Sequence, residues 1–406
     1  MVRTEKKSAG SGNPSMPTET SLSKRIKRHV IGRSRTYFVA TAPGFESLCF
    51  NEMQALGLPV EDARMISGGV EFNGRLADCY RANLHLRTAN RILMRIDRFK
   101  ATSFRQMEKR ATAIPWELYL PLDSQPRFNV KAHHCRLYHS DAIGERFLKS
   151  IKKFKRWPPS EEKTVHTANQ SIYIRGLDDR FTVSIDSSGE HLHKRGLKKH
   201  PGQAPLRETT AAAALLLAGY RGHQPLIDPM CGTGTFSLEA AMLAGDIPAG
   251  WFRHFDFMQW PSFQRTRWEY LKNQFAINSN DRAPLIFASD REPAACRHLE
   301  RCLAQNRLVG MINVSRRNFF DFLPKDLTDQ VGMVVINPPY GRRLESRPKS
   351  DQLFKKICTR LEQEYRGWHL ILVSPNKKLA RQIPFKLNKY PFSHGGLRPV
   401  MMIGTI

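Results

Sequence analysis

The segment Val334-Val335-Ile336-Asn337-Pro338-Pro339-Tyr340-Gly341 constrains the fold most, because its two halves obey opposite rules. The β-branched run lacks polar alternation, which predicts a strand buried on both faces, as in a parallel sheet covered by helices. The two prolines cannot donate to a ladder, so the strand stops at Asn337. What remains is a rigid elbow at the carboxyl end of a strand. It brings an Asn amide, a proline carbonyl and a Tyr ring into one small volume. A Pro-Pro turn after a core strand accounts for the same residues without any function, and that reading stands beside the next one.

The elbow suits one chemical problem. The exocyclic amine of a nucleobase is a poor nucleophile because its lone pair is delocalised into the ring. Two acceptors, the side-chain oxygen of Asn337 and the backbone oxygen of Pro338, would take its two hydrogens and favour a pyramidal nitrogen. Pro339 stiffens the corner, and Tyr340 would hold the base by stacking, worth about 1–3 kcal/mol per base. Orientation and hydrogen-bond acceptance do the work, and neither a metal nor a covalent intermediate is called for.

Upstream, Leu226 to Ala241 reads as strand, tight loop and helix. Gly232 and Gly234 permit a sharp turn and close approach of a ligand to the backbone. A dinucleotide fingerprint would place a third glycine where Ser237 stands. Asp228 before the loop Met230-Cys231-Gly232-Thr233-Gly234 suits instead a cofactor with a charged amino-acid head and no pyrophosphate, S-adenosylmethionine. The next strand, Leu285 to Asp290, ends in a carboxylate placed to hold a ribose diol. Asp290 is equally placed to cap the following helix, with Pro293 just inside it. An aromatic-rich insertion (Trp251, Phe252, Phe255, Phe257, Trp260, Phe263 and Trp268) separates loop and acid. Strand Ile312–Ser315 leads to Asp321, a candidate acceptor for the adenine amine. Helix 351–364, strand Leu370–Val373 and a terminal hairpin within 392–403 complete the series. Loop, two acids and elbow all fall at carboxyl ends of strands, where open α/β sheets bind ligands.

The amino-terminal half has a different pattern. Short strands at 37–40, 70–72 and 92–96 interleave with helical stretches at 44–56 and 76–88, which predicts a small α+β unit. A second unit follows, with helices at 104–113 and 140–154 and strands at 128–132, 171–174 and 181–185. Lys149, Lys152, Lys153, Lys155 and Arg156 crowd the end of the second helix, a solvated face or a set of phosphate contacts. Residues 187–205 read as a connector rich in Gly, His and Lys. Residues 1–35 hold nine Lys or Arg against Glu5 and Glu19 and read as a disordered basic tail able to lie along phosphates.

Charge decides the class of partner. The chain of 406 residues carries 64 Lys+Arg against 37 Asp+Glu, a net +27, which points to nucleic acid ahead of any membrane surface. No run of 18 apolar residues exists, so no membrane span is expected. The seven cysteines and the pairs His133-His134 and His191/His193 form no metal spacing. Scattered, unpaired cysteines and the lack of an apolar leader predict a reduced, cytoplasmic protein.

With these residues in view, the chain resembles the bacterial large-subunit ribosomal RNA guanine-N2 methyltransferases, which carry an RNA-binding THUMP domain ahead of a Rossmann-like methyltransferase. The resemblance runs through Ser184–Glu190, Leu192–Gly196, Ala204–Glu208, Asp228–Ala241, the elbow with Gly341, and Asn388 to Leu397. It implies an α/β fold with four parts: the tail 1–35, a ferredoxin-like segment 36–100, a THUMP domain 101–190 and a methyltransferase domain 191–406. It also implies S-adenosylmethionine contacts at Met230 to Gly234, Asp290 and Asp321, and a catalytic motif at Asn337 to Tyr340. The implied partner is large-subunit ribosomal RNA, held through the THUMP domain and the tail. Rival readings are the same chemistry on transfer RNA guanine or on adenine or cytosine amines of DNA, and an RNA-binding assembly factor without catalysis.

Overall fold

The computed structural model describes residues 19–121, 124–154, 169–198, 206–274, 285–339, 347–393 and 396–406. Tyr340 and Gly341, residues 1–18 of the expected tail, and Lys155 and Arg156 lie outside the described residues.

The chain forms two seven-stranded sheets. The first contains β1 (Arg35–Thr41), β2 (Arg64–Ile66), β3 (Gly69–Gly74), β4 (Ala89–Lys100), β5 (Gln125–His133), β6 (Asn169–Leu177) and β7 (Arg180–Asp186), in the order 2-3-1-4-7-6-5. Helices α1 (Glu19–Ile26), α2 (Glu46–Ala55), α3 (Leu76–His85), α4 (Phe104–Ala113) and α5 (Ser140–Phe154) belong to this half. The long strand β4 pairs antiparallel with β1 on one side and with β7 on the other. The segments separated at residue 100 by sequence pattern therefore share one continuous sheet.

The tail expected to be disordered over 1–35 is ordered from Glu19. Helix α1 runs into a π-helical turn, Lys27–Ile31, and both Ile26 and Val30 are buried in the first core. Their spacing of four residues puts them on one face. The surrounding lysines and arginines mask that signal in any compositional reading.

The second sheet contains β8 (Leu226–Asp228), β9 (Ile286–Asp290), β10 (Asn313–Arg316), β11 (Met333–Ile336), β12 (His369–Ser374), β13 (Asn388–Pro391) and β14 (Val400–Thr405). Its order is 10-9-8-11-12-14-13, with the first five strands parallel and β14 antiparallel to β12 and β13. Helices α6 (Glu208–Leu217), α7 (Thr235–Ala244), α9 (Pro293–Gln305), α10 (Arg347–Glu364) and α11 (Lys377–Ala380) complete it, while α8 (Arg265–Asn273) packs on the first half through Trp268 and Leu271. All four residues of β11 are buried, as an unalternating apolar run requires. Strand order reverses at β8, which lies between β9 and β11, and the switch point of such a sheet opens a crevice at the strands' carboxyl ends.

The aromatic insertion belongs to neither sheet alone. Phe255, Phe257, Trp260 and Trp268 are buried in the core of the first half. Phe257 stacks on Tyr80 of α3 at 4.5 Å between ring centroids, and Trp260 Nε1 donates to Gln170 Oε1 at 2.9 Å. The insertion thus fastens the methyltransferase half to the first sheet.

The expected connector at 187–205 is, over its described part, a buried polar joint. Ser188 Oγ donates to Asn83 Oδ1 at 2.7 Å, and Asn83 Nδ2 donates to Ser187 Oγ at 2.8 Å. The Arg253 guanidinium donates to the carbonyls of Ser188, Glu190, His191 and Lys194. Buried carbonyls outside regular structure need such donors, and a polar composition alone does not disclose that they have them.

Candidate active site

The glycine loop begins where β8 ends. Asp228 is buried beneath it, and its Oδ2 accepts from Ser237 Oγ of α7 at 2.6 Å. Gly234 is the residue before α7 and has φ +73°, while Gly232 has φ +53°. A Cβ on Gly234 would stand 2.5 Å from Leu299 Cδ1, the tip of a side chain that can yield. The left-handed backbone is the harder constraint. Gly234→Ala is therefore expected to destabilise the chain by more than about 1 kcal/mol. Urea unfolding reads this, and an unchanged midpoint would contradict it.

Burial raises the Asp228 carboxyl to about 7, with the charge of Asp290 adding to the effect and the Ser237 hydroxyl opposing it. The folded chain then keeps a proton that the unfolded chain releases near its ordinary value of 3.8. Stability from this group is complete below that value and is lost as pH rises through about 7. Asp228→Asn, which keeps an acceptor for Ser237, should remove this part of the pH dependence. Parallel unfolding profiles for the two chains between those pH values would show that Asp228 is ionised throughout.

The loop is clamped to the end of β9. Cys231 N–H donates to the Ser289 carbonyl at 3.0 Å, and Gly232 N–H donates to Asp290 Oδ2 at 2.9 Å. The other oxygen, Oδ1, accepts from Glu292 N–H at 2.9 Å, ahead of Pro293 at the start of α9. Asp290 is not the cap residue itself: the residue before α9 is Glu292, which carries no side-chain cap, and Asp290 acts one step earlier. It orders the turn into the helix, and each oxygen retains a lone pair for a further donor.

A cavity of about 320 Å³ opens at this point. Met230 and Gly232 line it from the loop, Asp290 from the end of β9, Glu292 from the turn into α9, Asn318 and Phe320 from beyond β10, and Asn337 and Pro339 from the elbow. Nothing lies within 4 Å of where a Cβ on Gly232 would stand. Asn337 Oδ1 is buried and has no hydrogen-bond partner among the described residues. A buried amide oxygen left unpaired costs about 1–3 kcal/mol, and this one belongs to a residue on the cavity wall, where an entering donor would satisfy it.

The structure therefore gathers Met230, Gly232, Asp290, Asn337 and Pro339 around one space. It places Asp228, Cys231 and Gly234 behind the loop as supports, with Asp228 and Cys231 buried. Thr233 faces Lys198, whose Nζ donates to Thr235 Oγ1 at 2.8 Å and stands 3.4 Å from Thr233 Oγ1. Pro338 is buried and is not among the residues that line the cavity. Asp321 also departs from expectation. Its N–H donates to the Asn318 carbonyl at 3.0 Å, and its Oδ1 accepts from Asn318 Nδ2 at 3.2 Å. This turn leaves Asp321 exposed and puts Asn318 on the cavity wall instead. Asn318 follows the end of β10 more closely than Asp321 does, which is where an open α/β sheet exposes side chains to its crevice. Phe319, Phe320 and Leu353 add an apolar wall that the sequence reading did not assign.

Strand order, glycine loop, ribose-type acid and Asn-Pro-Pro elbow together define an S-adenosylmethionine-dependent methyltransferase domain. A family profile described as an RMKL-like methyltransferase domain matches residues 195–389, and one described as an RlmL ferredoxin-like domain matches residues 36–93. A Synechocystis protein provisionally named an RNA methyltransferase is 31% identical over 370 residues, covering 90% of this chain and 95% of the relative. The ribosomal RNA large subunit methyltransferase K/L of Methylococcus capsulatus is 32% identical over 379 residues, 88% of this chain and 50% of the relative. The chain thus spans about half the length of the K/L relative. The solved structure of SMU.472, complexed with SAH, superposes with a TM-score of 0.79 at 26% identity, covering 92% of this chain and 98% of that one. The chain belongs to the RMKL-like methyltransferase family, and its cofactor is S-adenosylmethionine. The cavity fits that cofactor: an acid with spare lone pairs suits a ribose diol, and an apolar wall suits an adenine ring.

Proposed function

We propose that the chain transfers a methyl group from S-adenosylmethionine to the exocyclic N2 amine of a guanine in large-subunit ribosomal RNA. The observation that carries this reading is the buried, unpartnered Oδ1 of Asn337 on the wall of the cofactor cavity. When bound, the cofactor supplies an electrophilic methyl on a sulfonium. The chain's own residues orient the amine: Asn337 Oδ1 accepts one N–H, the Pro338 carbonyl accepts the other, and Tyr340 stacks on the base. With both hydrogens drawn out of the ring plane, the nitrogen lone pair would aim at the methyl. As the N–C bond forms, the methyl–sulfur bond would break, the thioether would leave with its electron pair, and the nitrogen would release one of its two protons to solvent. Asp290 holds the ribose and Asn318 the adenine amine. The base reaches this buried point by leaving its stack.

Large-subunit ribosomal RNA as the substrate is favoured by the names of the K/L relatives, and a polyanionic partner by the net charge of +27; the choice of the guanine N2 amine rests on the resemblance noted in the sequence. The part of the first half within residues 101–190, in the role of the THUMP domain, and the basic amino terminus hold the RNA in this proposal. The test compares modified nucleosides in ribosomal RNA from cells with and without the gene. Loss of N2-methylguanosine from the large-subunit RNA is expected. An unchanged ribosomal pattern together with a missing methylated adenine, cytosine or transfer RNA guanine would overturn the substrate assignment.

A further inference from the structure

The first sheet has one face against helices and one face left open. On the helical side, Gly144 of α5 lies against Phe128 and Val130 of β5. Side chains alternate along a strand, so Arg127, Asn129 and Lys131 point the other way and are exposed. The parallel register sets Asn129 beside Tyr173 and Lys131 beside Arg175 of β6. Next to them Tyr173 pairs with Ser184 of β7, and Ser184 with Arg95 of β4.

This open face alternates guanidinium groups with rings. Arg175 and Arg91 stand 5.1 and 5.4 Å from the centre of the Tyr173 ring, and Arg95 stands 4.7 Å from that of Phe38. Arg91 and Arg95 are paired with Asp186 and Glu71. Arg127, Lys131 and Arg175 have no carboxylate partner among the described residues, and Arg175 Nη1 donates instead to the Asn129 and Ile174 carbonyls. The uncompensated charge therefore sits on the half of the face that also carries Tyr173.

We propose that this open sheet face is a platform for single-stranded RNA. It rests on the RNA reading given above and adds the surface and the mode of binding. Unstacked bases lie on the Tyr173 ring and the guanidinium planes beside it, and phosphates meet Arg127 and Lys131. Duplex RNA offers no free base faces, whereas single strands pair splayed bases with aromatic and Arg planes. Leu177, beyond Arg175 on β6, is an exposed apolar side chain on this part of the face, and the uncompensated cations around it favour a polyanion over a protein partner.

The opposing possibility is that RNA lies along α5, where Lys149 and Lys152 are exposed on the helical side. Anisotropy of a fluorescent short oligouridylate, titrated with the full chain at several salt concentrations, separates the two. Tyr173→Ala is expected to weaken binding by roughly ten-fold or more, and Tyr173→Phe to bind as the wild type does. Arg127→Ala with Lys131→Ala should lower the slope of log affinity against log salt by about 1.4, from roughly 0.7 per phosphate. Lys149→Ala with Lys152→Ala should change little. Wild-type affinity in Tyr173→Ala, loss confined to the α5 pair, or no oligouridylate binding by the wild type would each overturn the proposal. Methyl transfer by the wild-type chain, assayed separately on ribosomal RNA, reports on the functional reading alone, so the two can fail independently.

Discussion

Asn337→Ala is expected to abolish methyl transfer while S-adenosylmethionine still binds with nearly unchanged affinity. The Asn337 oxygen is buried and unpartnered among the described residues, and the proposed reaction places it where positive charge develops on the attacking nitrogen. Removing one such preorganised partner from an active site costs about 10²–10³ in kcat. In the proposed arrangement the cofactor is held by other residues, chiefly Asp290 and the loop around Gly232, which line the same cavity. Asn337→Asp keeps an acceptor oxygen and should retain more activity than Asn337→Ala. Calorimetry with the cofactor and single-turnover transfer to RNA separate the two effects. A variant that transfers at the wild-type rate would remove the elbow from the chemistry.

Arg195→Ala is expected to be the most destabilising single change in the joint between the two halves. Arg195 is 3% exposed and Glu239 of α7 is 1% exposed. Arg195 Nε donates to Glu239 Oε1 at 2.8 Å, and Nη2 donates to the Arg87 carbonyl at 2.7 Å. Its Nη1 donates to the Leu192 carbonyl at 2.9 Å. Truncation leaves Glu239 buried without its main counter-charge and strands two carbonyls, a loss of about 3–5 kcal/mol. Arg87, with Nη1 4.0 Å from Glu239, offsets little of this because its own Nη2 is committed to the Met242 and Ile247 carbonyls. Arg195→Met combined with Glu239→Gln should recover part of the stability, since it removes the charge along with its partner. Urea unfolding of the three chains tests this, and a loss below about 1 kcal/mol for Arg195→Ala would show that water reaches Glu239.

Both expectations depend on residues that the sequence disclosed to very different degrees. Asn337 was legible because two prolines after a β-branched run leave few conformations, so local rules alone place its side chain at a strand end. The helix of α9 was equally plain, since Pro293 at its first turn and the spacing of Cys296, Leu299 and Leu303 fix start and face. Arg195 was not. It sits among polar residues that read as linker, and only tertiary contact with Glu239, forty-four positions away, makes it a core residue. The surroundings of Asp321 were hidden for a related reason. A carboxylate near a strand end looks like a ligand contact, but the turn it closes with Asn318 turns it outward and exposes the neighbouring amide to the cavity. The aromatic insertion was visible as composition, yet its destination against Tyr80 and Gln170 is a long-range pairing that no local pattern encodes. The ordered stretch after Glu19 shows the converse, in which a strong charge signal hid two apolar residues at helical spacing.

The central claim concerns which atom receives the methyl. Its most direct test incubates the purified chain with methyl-labelled S-adenosylmethionine and unmodified large-subunit ribosomal RNA, then digests the RNA and locates the label by mass analysis. Label on N2 of guanine is the predicted result. Label on an adenine or cytosine amine, on a ring carbon or on ribose, or none while the cofactor binds, would contradict it.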